Sequence, residues 1–113
     1  DWANLFTEDG VWELYPAGAT TPSTRLKGHA EIKAFCEQKE MREKLDGVKS
    51  YHHQTSVVFD ELTAKSAHTR VMVVITVWNL KENKGHIFMT GVYNDVLKKT
   101  PQGWRFAYRR LTP

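Results

Sequence analysis

Cysteine is nearly absent: Cys36 is the single one among 113 residues. No internal disulfide can therefore staple the fold, and a lone thiol on the apolar side of a helix is expected to be buried and reduced, as in a cytoplasmic protein. Long hydrophobic runs are also missing. None approaches the ~20 residues that span a bilayer, so no membrane partner is expected. Neither sign of charge dominates, with 16 Lys plus Arg against 13 Asp plus Glu and a net charge of +3. The basic residues are scattered among acids, which argues against a nucleic-acid footprint. The 7 glycines are dispersed, so no phosphate-cradling loop or nucleophile elbow can be written, and no Ser/His/Asp order is apparent. No cofactor is expected. There are no internal repeats and no low-complexity segments. What is present is ordinary: 41% hydrophobic and 26% charged residues, the composition of one globular domain covering residues 1–113.

Residues 1–6 read as the end of a helix already under way, its front truncated, with Gly10 as the left-handed stop. Val11 to Tyr15 are rich in β-branched and aromatic residues and predict a short strand ended by Pro16. A Gly/Pro/Ser/Thr-rich loop follows over 17–27. Ile32, Phe35 and Cys36, then Met41 and Leu45, predict a helix over 30–46 whose second half is a solvated charged face, with Glu40 and Lys44 four apart. Beyond Gly47, segments 50–61, 68–80, 86–99 and 104–111 predict four long strands joined by hairpin-length turns. Two helical segments ahead of an antiparallel meander predict an α+β fold: a curved antiparallel sheet forming a cone, with helices over its concave face. Strands this long must bend, with Gly91 helping, and a bent sheet closed by helices encloses a pocket.

Five histidines raise the question of a metal. His52 and His53 are adjacent on a strand and point to opposite faces, and His29, His68 and His86 lack ligand spacing, so no metal site is expected. Acid–base chemistry remains. Ser50, His52, Gln54 and Ser56 share one stripe, facing either solvent or a cavity, while His53, Thr55, Val57 and Phe59 share the other. Met89, Gly91, Tyr93, Asp95 and Leu97 share a face, as do Arg105, Ala107 and Arg109. Arg109 and Arg110 point opposite ways, so at most one enters a pocket.

The strings Leu5-Phe6-Thr7-Glu8-Asp9-Gly10-Val11-Trp12, Gly28-His29-Ala30-Glu31-Ile32, Gly91-Val92-Tyr93-Asn94-Asp95 and Gly103-Trp104-Arg105-Phe106-Ala107-Tyr108-Arg109 occur in this order. Together they resemble the SnoaL-like polyketide cyclase/dehydratase branch of the nuclear-transport-factor-2-like superfamily, whose fold is a cystatin-like α+β barrel. That branch includes dehydratases, a dehydrochlorinase and cyclases acting on hydrophobic ring compounds. The resemblance implies that His52 matches the relatives' catalytic histidine and Arg109 their cavity arginine. It also implies that Tyr93 and Met89 line the cavity, with Ser50 beside His52 on the wall. Ser56 stands where relatives often carry Asn. Their histidine is oriented by an Asp on the first helix, ahead of the position of Asp1; Glu13 or Asp95 is the candidate acidic partner here.

The function expected is a cofactor-free lyase or isomerase acting on a small, largely apolar cyclic molecule. His52 would move the proton, Arg109 would stabilise negative charge, and Trp12, Met89, Tyr93 and Trp104 would shape the cavity. The face that Trp104 takes is left open by its parity. The rival is a non-catalytic module of the same fold that holds a hydrophobic ligand or serves as a dimerisation domain. By resemblance a homodimer or homotrimer is expected, with Val57, Phe59, Val71 and Val73 either its exposed stripe or part of the core.

Overall fold

The computed structural model describes residues 1–38 and 46–113. After a 3-10 turn at Trp2–Leu5, the elements run β1 Phe6–Leu14, β2 Thr24–Lys27, α1 Gly28–Glu37, β3 Val48–Leu62, β4 Ser66–Asn79, β5 Lys84–Thr100 and β6 Gly103–Thr112. They form one 6-stranded sheet in the order β2-β1-β6-β5-β4-β3. Strands β3 to β6 are the expected antiparallel meander, while β1 returns parallel to β6 and carries β2 antiparallel on its outer edge. The fold is α+β as expected; the sheet is curved but not closed, with β2 and β3 as its edges.

The start of the chain departs from expectation. Asp1 caps the 3-10 turn by accepting from the Ala3 N–H at 3.0 Å, and a strand begins at once with Phe6. Gly10 is not a helix stop. It lies buried in β1, where a Cβ would meet the Phe106 carbonyl and the Phe6 Cβ, both at 2.9 Å. Glycine is needed there for close approach across the irregular β1/β6 register. Part of the expected loop is strand β2, because Thr24 to Lys27 pair with Val11 to Leu14.

Among the described residues α1 is the one α-helix. Gly28 opens it at φ +80°, and Glu31 accepts the Lys27 N–H at 2.7 Å. Ile32 is fully buried and Phe35 stacks near Trp12, so the inward stripe is as expected. Cys36 is exposed rather than buried: it shares the Ile32 face but lies one turn further on, in the last turn of α1. The expected apolar pair Met41 and Leu45, and the Glu40–Lys44 pair, lie outside the described residues.

Two apolar clusters hold the layers. Under α1, Ala3, Phe6 and Ile32 pack with Trp2, Trp12, Leu26 and Phe106. On the concave face of the sheet, Val71, Val73, Ile75, Tyr93 and Leu111 pack with Leu14 and Met89. Val71 and Val73 are thus core and not part of an exposed dimer stripe.

The bulges matter more for function than the strands. Between Thr55 and Val58 the register of β3 gains one residue against β4, and Ser56 there takes a left-handed φ of 56°. Between Val96↔Tyr108 and Leu97↔Phe106, β6 likewise gains one, Ala107. Because side chains alternate strictly, each extra residue transfers everything beyond it to the other face. Val57 and Phe59 therefore join His52 and Gln54 on the concave face, and Trp104 and Phe106 join Arg109 there.

Gly91 stands on the same face, and a Cβ would lie 2.5 Å from the Thr112 carbonyl oxygen and 3.1 Å from Leu111 Cδ1. Gly91→Ala must push the end of β6 away. Overpacking of this kind is expected to lower stability by about 1–3 kcal/mol, read as a shift in the urea midpoint with an unchanged slope.

Candidate active site on the concave face

Arg109 lies at the centre of the concave face, positioned by three strands. Its register partners are Trp12 on β1 and Asp95 on β5, and residues paired across strands share a face. The side chain is 8% exposed and its partner Asp95 is 4% exposed. Arg109 Nε donates to Asp95 Oδ1 at 3.0 Å and Nη2 to Oδ2 at 3.3 Å, and Nη2 also donates to Gln54 Oε1 at 3.3 Å. The guanidinium is sandwiched, its carbon 3.6 Å from the Tyr93 ring centroid and 4.3 Å from that of Phe106. Planar, weakly hydrated guanidinium suits such a slot, where an ammonium would lose both the fork and the stacking.

Burial opposes ionisation of Asp95 and outweighs the pull of Arg109, so its pKa is pushed up to about 6. Both carboxylate oxygens are nonetheless engaged by Arg109, so Asp95 is not the partner of His52. Glu13 is excluded from that role by geometry. Its register partner is Arg110, which carries it to the convex face, where its carboxylate lies 4.0 Å from Arg25 and helps to hold the Tyr15 and Tyr108 pKa values up. Arg110 accompanies it there, stacked over Tyr15 at 4.0 Å.

His52 is on the concave face, paired with Ile75. Its Nδ1 lies 3.4 Å from the hydroxyl of buried Tyr93. Partial burial, then the positive charge of Arg109, then His53 hold its pKa below the ordinary 6.5. The imidazole is consequently neutral near pH 7. Tyr93 stays a phenol, its pKa raised by burial despite the nearby Arg109 cation.

A cavity of about 430 Å³ opens beside this cluster. Val57, Phe59 and Leu62 of β3 and Leu97, Trp104 and Phe106 supply its apolar wall, and Arg109, Asp95 and Gln54 its polar residues. Of the residues expected in the cavity, Trp104 and Arg109 line it. Trp12 instead packs against Trp2 and Phe35 under α1, Met89 is half-buried against the sheet core, and Ser50 is exposed near the start of β3. Tyr93 and His52 stand on the far side of the guanidinium from Phe106, bridging the cluster without lining the cavity. Three of the remaining four histidines are engaged elsewhere: His29 Nε2 meets the Phe6 carbonyl at 2.8 Å, His53 Nε2 meets Thr76 Oγ1 at 2.9 Å and His68 Nδ1 lies 3.6 Å from Glu61 Oε2. No cluster of three metal-ligating side chains occurs among the described residues.

The lowered His52 pKa carries a sign. The unfolded chain takes up the proton more readily than the folded one, so this contribution to stability is full above pH 6.5 and is lost as pH falls below it. Thermal melts between pH 7.5 and 5 should show His52→Gln gaining stability relative to the parent chain as pH falls, the opposite slope from Asp95, whose pKa is raised to about 6, being common to both; identical slopes would contradict the shift.

Known proteins can now be set beside this geometry. Among curated proteins none matches the chain. A protein of unknown function from Mycobacterium tuberculosis is 27% identical, with a TM-score of 0.75, over 97% of this chain and 56% of that one. An NTF2-like protein with a cystatin-like fold from Novosphingobium aromaticivorans is 19% identical, with a TM-score of 0.76, over 97% of this chain and 65% of that one. A Catenulispora acidiphila protein solved in complex with S-DNPA is 19% identical, with a TM-score of 0.72, over 98% and 75%. The chain thus spans less than two-thirds of the first two of these proteins. No helix among the described residues is long and apolar enough to cross a membrane. Residues 1–110 match the SnoaL-like domain, and the chain belongs to that family.

Proposed function

We propose that the protein is a cofactor-free lyase or isomerase that transforms a small, largely apolar ring compound by acid–base chemistry. The observation that carries this reading is a fixed cation bordering an apolar, aromatic-walled cavity of about 430 Å³, with a neutral, titratable histidine one residue's width away across Tyr93. A cation held in place by Asp95 and Gln54 needs no reorganisation when negative charge develops on a substrate oxygen, and the burial of Arg109 strengthens that interaction. His52 is the acid–base group. The ligand complex of the Catenulispora acidiphila relative agrees with small-molecule binding on this fold.

The rival reading, a binding module without chemistry, draws on one feature: among the described residues no carboxylate engages His52, which leaves it without the partner that would stabilise an imidazolium. A second copy of the chain, in a dimer or trimer, is part of the proposal and is open to sedimentation.

Solvent proton exchange separates the two. In D2O, a panel of benzo-fused cyclic ketones should gain deuterium at the carbon next to the carbonyl, and His52→Ala should slow the exchange about 100-fold. Saturable binding of these ketones with no exchange above background would favour the binding module.

A further inference from the structure

One more polar side chain faces the cavity, and among the described residues nothing hydrogen-bonds it. Thr69 of β4 is 6% exposed and lines the cavity beside Ala67 and Val71, which share its face of the strand. Across the sheet it pairs with Phe59 on β3 and Asp95 on β5, but Asp95 directs both carboxylate oxygens to Arg109. The Thr69 hydroxyl is not one of the sealed, unpaired buried atoms, so it still reaches the cavity space. Burying a hydroxyl without a partner costs stability. Val71, Val73 and Ile75 follow on the same face of β4, and an aliphatic side chain would suit the strand as well at position 69. A threonine there needs a reason other than the fold.

We infer that Thr69 is a specificity-determining residue of the cavity, whose hydroxyl bonds a second oxygen substituent, a hydroxyl or keto group, on the ring compound bound there. That a ring compound binds at all rests on the function proposed above; the unpaired hydroxyl does not. The topology sets where the substituent lies. Asp95 is the register partner of both Thr69 and Arg109, so these two stand two strands apart, their backbones about 10 Å from each other. Thr69 and the guanidinium thus meet a ligand from opposite sides of Asp95. This suits oxygens on opposite edges of a ring system rather than on adjacent carbons, with the apolar wall of Phe59, Leu97 and Phe106 against the ring between them. A hydroxyl both donates and accepts, so Thr69 takes a ligand hydroxyl or carbonyl alike. A ring that lacks the second oxygen strands the Thr69 hydroxyl when it fills the cavity, and a site built this way rejects such a ligand more strongly than an apolar wall would.

Calorimetric titration of the full chain with 1-tetralone and 6-hydroxy-1-tetralone, which differ in the second oxygen alone, tests the assignment. The parent chain should bind the hydroxylated ketone about tenfold more tightly. Thr69→Val, which keeps the shape, should abolish that preference while still binding 1-tetralone, and Thr69→Ser, which keeps the hydroxyl, should retain it. In urea, Thr69→Val should unfold at the parent's midpoint or above it, because no hydrogen bond within the protein is lost. A lower midpoint would show that the hydroxyl is bonded within the fold, and would overturn the inference whether or not a ligand binds. Equal affinity for the two ketones in the parent chain, a preference that survives in Thr69→Val, or one that is lost in Thr69→Ser would sink the role of Thr69 and leave the small-molecule reading standing. Binding of neither ketone would sink that reading, and this inference with it.

Discussion

The buried ion pair between Arg109 and Asp95 is the interaction on which the concave face depends. Both groups are removed from water, at 8% and 4% exposure, which would be prohibitive for either alone. Two N–H donors to the carboxylate, a third to Gln54 and two aromatic faces offset that cost. The pair ties β5 to β6 and, through Gln54, reaches across to the edge strand β3. It also sets the electrostatics of its surroundings: Arg109 adds to burial in opposing protonation of His52, and favours ionisation of Tyr93, where burial outweighs it.

A pair of this kind is weak ground for stability and good ground for function. Apolar replacements of similar volume often stabilise a protein as well as a buried ion pair does. What an apolar pair cannot do is hold a cation at the border of an apolar cavity with one N–H edge still open. That arrangement suits recognition of an oxygen.

Much of the fold was legible in the sequence. β-branched and aromatic runs separated by Gly, Pro, Asn and Lys turns marked β3 to β6, and parity alone put Met89, Tyr93 and Asp95 on one face. Arg109 and Tyr93 were legible as concave-face residues only through the family resemblance, and their stacking was not. The cavity wall was not. Strict alternation assigns Val57 and Phe59 away from His52, and Trp104 and Phe106 away from Arg109, until one residue is added at Ser56 and one at Ala107. Neither position carries the glycine that would have marked a bulge; Ser56 accepts a left-handed φ of 56° without one. Asp95 was visible as a carboxylate in the right place but was assigned to the histidine, because its pairing with Arg109 comes from register across two strands. Glu13 failed for the same reason: only the parallel pairing of β1 with β6, a contact distant in sequence, reveals that it faces the other way.

A double-mutant cycle between Arg109→Met and Asp95→Leu tests this centre most directly. Each single change leaves a buried charge without its counter-charge and should cost about 3–5 kcal/mol, whereas the double variant, with neither charge, should cost much less than the sum. A coupling of several kcal/mol is the result expected. Additive effects, with the double variant as unstable as the two singles combined, would contradict the central role given to this pair.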